Sequence, residues 1–226
     1  MKILVTGAAG FIGMHVCFKL LSLGYEVLGI DNYNDYYDVN LKKNRIKNII
    51  STHKHFVFHL MDIRDKKDLD DLFHNENFSI VIHLAAQAGV RYSITNPNSY
   101  ITNNIQGFFN IIDVATKNNI DHFVFASSSS VYGLNTKFPS SENHNSDHPI
   151  SIYAATKKSN EVLAHAYSSM YNIPVTGLRF FTVYGPWGRP DMAIFKFTKK
   201  IKNKKSIDLF NYGKNKRDFT YIDDVT

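Results

Sequence analysis

"TGAAGFIG", Thr6 to Gly13, decides how the rest of the chain is read. Three glycines, Gly7, Gly10 and Gly13, recur at three-residue spacing directly after an apolar run, "KILVT" (2–6), and lead into a helical stretch through Met14, His15 and Val16. Glycines permit a tight strand-to-helix turn and close backbone approach to a pyrophosphate, whose charge then sits at the positive end of the helix. Alone the triplet is weak, and a charge at Lys2 followed by apolar and small residues also resembles an export signal. The context is stronger. A second apolar run, "EVLGID" (26–31), ends on Asp31, 18 residues after Gly13, where a carboxylate accepts hydrogen bonds from an adenosine ribose and repels a 2′-phosphate. No arginine adjoins Asp31 in the sequence, which favours NAD over NADP. A turn of the same make in a non-binding α/β protein is the plainer alternative.

From this unit outward, short β-branched runs alternate with longer helical stretches. "FVFHLMD" (56–62), "SIVIHLAA" (79–86), "HFVFASS" (122–128) and "PVTGLRFF" (174–181) read as further strands, with helices near 12–23, 40–50, 66–75, 98–118 and 153–172. Continuously apolar strands between helices mean an α/β fold, a doubly wound parallel sheet covered on both faces. Residues 1–180 are expected to form this dinucleotide-binding Rossmann domain. Residues 181–226 have a looser pattern: a helix near 191–203, a short strand "IDLF" (207–210), and a helix start at Asp223 and Asp224. They are expected to be part of a smaller C-terminal substrate domain.

Composition sets limits. Hydrophobic residues at 44% and charged residues at 20% describe an ordinary folded chain. The formal net charge of +6 raises a polyanionic partner as an alternative. Its lysines, however, gather only at Lys199, Lys200, Lys202, Lys204 and Lys205, without interleaved aromatics, so no nucleic-acid partner is expected. Cys17 is the single cysteine, fitting a reducing, cytoplasmic compartment, and no apolar run is long enough to span a membrane. His53, His55 and His59 lack a companion carboxylate or cysteine set at ligand spacing, so no metal is expected.

"YAATK" places Tyr153 and Lys157 on one helix face, and the spacing recurs in "YGKNK", Tyr212 to Lys216. Only Tyr153 begins an amphipathic helix and follows a strand-end serine run, "SSSSVYG" (127–133). Free tyrosine titrates near about 10, so acting as a base requires nearby positive charge, which Lys157 and an oxidised nicotinamide would supply. The tyrosine therefore belongs with NAD.

Together with "DNYNDYYDVNLK" (31–42), "HLAAQAGVRYS" (83–93), "NNIQG" (103–107), "RFFTVYGPWGRPDMA" (179–193) and "RDFTYIDDV" (217–225), these motifs make the chain resemble the extended short-chain dehydrogenase/reductase family. Among its NAD-dependent sugar-nucleotide epimerases it is most similar to UDP-glucuronate 4-epimerases. The resemblance implies C4 epimerisation of a UDP-hexuronate through a 4-keto intermediate, with Ser128, Tyr153 and Lys157 as catalytic residues. It implies a cofactor site of Gly7, Gly10, Phe11, Ile12, Gly13, Asp31, Asn32, Asp62, Ile63, Leu84, Ala85, Ala86, Gln87, Asn103, Tyr153, Lys157 and Phe181. Substrate contacts would come from Ser128, Ser129, Ser130, Tyr153, Thr182, Arg189 and Arg217, the arginines meeting the uronate end and the diphosphate. A homodimer through the two long helices, and a role in polysaccharide biosynthesis, are also implied.

Related dehydratases carry an acid where this chain has Ser130, so dehydration is disfavoured. The open alternatives are a UDP-glucose/UDP-galactose 4-epimerase, another nucleotide-sugar epimerase or dehydratase, and an inactive NAD-binding protein. Family members ordinarily continue beyond "YIDDV", so a chain of this length is expected to bind NAD yet turn over poorly.

Overall fold

The computed structural model describes residues 1–135, 137–214 and 216–226. In chain order the elements are β1 (Lys2–Thr6), α1 (Phe11–Ser22), β2 (Glu26–Asp31), α2 (Val39–Thr52), β3 (Phe56–Leu60), α3 (Lys66–Asn75), β4 (Ile80–His83), α4 (Tyr92–Thr95) and α5 (Pro97–Tyr100). After a π-wound segment, Ile101–Gln106, follow α6 (Gly107–Lys117), β5 (His122–Ala126), α7 (Ile152–Tyr171), β6 (Val175–Leu178), β7 (Thr182–Tyr184), α8 (Ala193–Lys202), β8 (Phe219–Tyr221) and α9 (Ile222–Val225).

Six strands form one all-parallel sheet in the order β3-β2-β1-β4-β5-β6. Its two faces are covered separately. One carries Met14, Cys17, Ile46 and Ile49 from α1 and α2; the other carries Leu69, Phe108, Ile111 and Ala164 from α3, α6 and α7. This is why β1 and β2 are apolar at every central position: each residue meets a helix whichever way it points. The order in which strands are added reverses between β1 and β4, leaving a crevice at their carboxyl ends.

The crevice is held by polar contacts at the strand ends. Thr6 Oγ1 accepts from the Ala85 amide at 3.1 Å and hydrogen-bonds His83 Nδ1 at 2.8 Å. His83 lies buried against the Phe108 and Phe123 rings, and burial together with the charge of Lys157 pushes its pKa down to about 3. It is thus a neutral part of the core.

Two expectations need correction. The 98–118 helix is continuous but winds as a π-helix over Ile101–Gln106, a departure commonly found beside functional sites. No strand forms at Ile207–Leu209; the second sheet is instead β7 paired parallel with β8. A short apolar run becomes a strand only where a neighbour completes its hydrogen bonds, and these three residues have no strand beside them.

The glycine turn is sterically closed. Gly7 has φ +72°, and a Cβ there would lie 2.7 Å from the Ala85 nitrogen; one on Gly13 would lie 2.1 Å from the Gly7 carbonyl oxygen. Both obstacles are backbone, which cannot rotate away. Gly13→Ala is therefore expected to destabilise the fold by about 3 kcal/mol, the upper part of the overpacking range, as measured by urea unfolding.

Candidate active site

One cavity opens at the carboxyl ends of the sheet and joins the glycine turn to the serine run. Gly7, Gly10, Phe11, Ile12, Gly13, Asp31, Asn32, Ile63, Leu84, Ala85, Ala86, Gln87 and Asn103 line one part; Ser128, Tyr153, Lys157, Phe181 and Arg189 line the other. Asp62, Ser129, Ser130, Thr182 and Arg217 lie outside its lining. Asp62 borders a shallow recess beside Arg64 and accepts from Asn32 Nδ2 at 3.0 Å. Thr182 begins β7, and the exposed Arg217 donates to the Lys216 carbonyl at 3.1 Å.

At the dinucleotide end, Asp31 is fixed by the Ala9 amide at 3.2 Å and the Tyr33 amide at 2.9 Å, one to each carboxylate oxygen. Each oxygen keeps a lone pair for a ribose hydroxyl. Burial raises its pKa, while Lys42, the two amides and Arg45 act to lower it. The absence of an arginine beside Asp31 therefore holds in sequence only, because α2 brings Lys42 and Arg45 near. Both are already engaged: Lys42 donates to the Asn34 carbonyl, and Arg45 to backbone carbonyls and a phenol. A turn that excludes side chains, a helix N-terminus and a fixed ribose-facing carboxylate suit NAD.

At the other end of the cavity, Ser151 caps α7 by accepting from the Ala154 amide at 3.1 Å, which places Tyr153 in the first turn and Lys157 one turn on. Lys157 Nζ donates to the Ala126 carbonyl at 2.7 Å, and burial lowers its pKa to about 8. Burial raises the pKa of Tyr153; a hydrogen bond with Ser128 and the charge of Arg189 work the other way. Arg189 is thus the cation whose charge offsets part of that rise. Its guanidinium is bidentate to Asp191, at 3.0 Å and 2.5 Å, and Asp191 also accepts from Tyr36 Oη at 3.2 Å.

The serine run divides its work. Ser127 donates to Glu161 Oε1 at 2.6 Å, and Arg179 grips the same carboxylate at 2.8 Å and 2.9 Å. Ser128 accepts from the Ser130 amide at 3.2 Å and meets Tyr153, while the Ser129 amide donates to the Phe180 carbonyl at 2.9 Å. The second tyrosine-lysine spacing falls elsewhere: Tyr212 is 92% exposed in a single turn, and Asn215 of that motif lies outside the described residues.

Several contributors escaped the sequence. Asn34, Tyr36, Tyr37, Lys42 and Met192 also line the cavity. Asn104, turned inward by the π segment, accepts from the Gln87 amide at 2.7 Å and donates to Thr156 Oγ1 at 3.1 Å, clamping the β4 loop to α7. The doubled asparagine of "NNIQG" was the available sign, but helical periodicity alone does not say which of the two turns inward. Among the described residues no three His, Cys, Asp or Glu stand together as metal ligands, and no helix is long and apolar enough to cross a membrane.

Lys157 makes stability depend on pH. Its pKa falls on folding from 10.5 to about 8, so the unfolded chain binds more protons between those values and stability rises with pH through that window. Below about 8 the buried charge opposes folding in full. The stability of the ligand-free wild type relative to Lys157→Met should therefore increase between pH 8 and 10.5, measured by urea unfolding across that range. A flat difference would show that the amine is not desolvated.

The family model described as "NAD dependent epimerase/dehydratase family" matches residues 3–226. Protein CapI of Staphylococcus aureus is 56% identical over 225 residues, covering 100% of this chain and 67% of that protein. UDP-glucuronate 4-epimerase 6 of Arabidopsis thaliana is 53% identical over 229 residues, covering 100% of this chain and 49% of that one. The crystal structure of UDP-glucuronic acid 4-epimerase from Bacillus cereus, in complex with UDP-glucuronic acid and NAD, superposes with a TM-score of 0.93 at 41% identity, covering 100% of this chain and 70% of that one. With its glycine turn, parallel sheet and serine-tyrosine-lysine cavity, the chain belongs to the NAD-dependent epimerase/dehydratase family.

Proposed function

We propose that the chain carries the coenzyme and acid-base site of a NAD-dependent 4-epimerase acting on a UDP-hexuronate, interconverting UDP-glucuronate and UDP-galacturonate. The observation that carries this reading is the meeting of Ser128, Tyr153 and Arg189 in one cavity with the dinucleotide turn. Tyr153 would take the proton from the sugar O4, with Ser128 hydrogen-bonded to the same oxygen, and Tyr153 would return it after the 4-keto sugar has turned its other face. NAD, when bound, supplies reversible storage of the C4 hydride and is not consumed. Lys157, anchored on Ala126, would hold the ribose side of the coenzyme in register with Tyr153.

Arg189 supports the uronate, because a planar fork suits a carboxylate. Among the described lining residues Asp31 is the one carboxylate, and it sits at the adenosine end, which supports epimerisation over dehydration. A second reading, a neutral UDP-hexose, is favoured by one fact: Arg189 is already bidentate to Asp191. The UDP-glucose 4-epimerase of Thermotoga maritima, 33% identical with a TM-score of 0.89, is a structural relative of that kind.

We also propose residues 1–180 as the dinucleotide domain, residues 181–226 as part of the substrate lobe, and a cytoplasmic setting serving polysaccharide assembly. A homodimer through α6 and α7 is supported by Phe109, Val162, Met170 and Tyr171, all apolar and outward-facing. Light scattering at micromolar concentration should give twice the chain mass; a clean monomer would contradict the pairing.

Incubation with UDP-glucuronate and with UDP-glucose, followed by separation of the products, tests the main reading: the uronate should be converted and the hexose not. Conversion of the hexose alone would transfer the assignment to the second reading. Tyr153→Phe should lower kcat by about 10²- to 10⁴-fold, the range for a lost acid-base group, with NAD affinity within about twofold by calorimetry. Turnover at the wild-type rate would remove Tyr153 from its role.

A further inference from the structure

Arg45, on α2, is fully buried yet forms no ion pair among the described residues. Its Nη1 donates to the Ala9 carbonyl at 2.9 Å and to Tyr37 Oη at 2.7 Å; its Nη2 donates to the Trp187 carbonyl at 2.6 Å and reaches that of Gly188 at 3.4 Å. Nε has no partner. A buried charge whose direct contacts are all neutral dipoles, with the Asp31 carboxylate acting on it only from beyond ion-pair distance, is expensive, and an apolar side chain would fill the same space at less cost. What the guanidinium does that an apolar group or a lysine cannot is direct two terminal nitrogens, in one rigid plane, at two separate segments.

Those segments are the dinucleotide turn and the stretch leading into Arg189. The second is conformationally demanding: Trp187 has φ +60° and Gly185 φ +149°. A non-glycine residue in the left-handed region is strained and persists only where its surroundings hold it. Arg45 supplies that hold from the coenzyme side, assisted by His15 Nε2 with the Pro186 carbonyl at 3.0 Å and by Tyr36 Oη with Asp191 at 3.2 Å. The stretches "DNYNDYYDVNLKKNR" (31–45) and "GPWGRPDM" (185–192), far apart in the chain, thus form the two sides of one seam.

We propose that Arg45 is a positioning residue that couples the glycine turn to the Trp187–Arg189 loop, so that binding of the dinucleotide tightens the loop presenting Arg189. A turn fixed by its ligand holds the Ala9 carbonyl still; Arg45, shared between that carbonyl and Trp187, then loses less freedom in gripping the loop. This inference rests on the reading above for the identity of the coenzyme alone.

Trp187 is the only tryptophan in the chain and is 38% exposed, so acrylamide quenching of its emission reports on the loop directly. In the wild type, saturating NAD should lower the quenching constant by about twofold. In Arg45→Met and Arg45→Lys the constant should be higher and unchanged by NAD, while calorimetry shows NAD affinity within about threefold of wild type, since neither variant alters a lining residue of the cavity. A wild type indifferent to NAD, a variant that keeps the full NAD response, or loss of NAD binding in both variants would each overturn the coupling. Should Arg45→Met fail to fold, Arg45→Lys decides by the same criterion. No sugar nucleotide enters the measurement, so its failure and that of the epimerase reading are separable.

Discussion

A Cβ on Gly13 and the carbonyl oxygen of Gly7 would compete for the same space, 2.1 Å apart, and the rest of the site depends on that closeness. Because the turn is so tight, α1 starts directly over the end of β1 and its free amides face the crevice between β1 and β4. Thr6, the last residue of β1, then reaches both the Ala85 amide and His83, which sets the β4 loop at a fixed height beside the turn. Asn104 carries the same loop across to α7. Through these contacts the position of Tyr153 is referred back to the glycine turn.

The site holds several ionisable groups away from water. Lys157, Tyr153 and Arg189 all lie in the cavity, and burial works against the charged form of each. Arg189 is compensated by Asp191, whereas Lys157 relies on the Ala126 carbonyl. Such an arrangement weakens the isolated fold and gains local electrostatics in return, since a cation held near a phenol in a low-dielectric cleft acts on it more strongly than in water. The Glu161–Arg179 pair behaves differently. It is half-buried, bidentate and tied to Ser127, so it holds the end of β5 to α7 and needs no ligand to be satisfied.

Most of the architecture was legible because parallel sheets leave a strong mark: apolar strands on both faces, helices between them, and glycines where β1 meets α1. Tyr153 and Lys157 were legible through their one-turn spacing and Ser128 through its place at a strand end. The second sheet was not, since β7 and β8 are three residues each and their pairing depends on the chain returning to the right place. The same is true of the serine run, in which the Ser127 hydroxyl binds Glu161 while the neighbouring Ser128 hydroxyl accepts the Ser130 amide.

The sequence by itself determined the doubly wound sheet, the glycine turn with Asp31 at the end of β2, and the placing of Ser128, Tyr153 and Lys157 in one cavity with them, because each of these is encoded over a few consecutive residues or one helical turn. Only the tertiary structure decided which cation's charge bears on Tyr153, that α2 places Lys42 and Arg45 near Asp31, and that Arg45 bridges Ala9 to Trp187. These are interactions between residues from 11 to 142 positions apart. Periodicity and local spacing carry no information at that range; it is supplied when the sheet order brings α2 and the loop after β7 to the same end of the crevice.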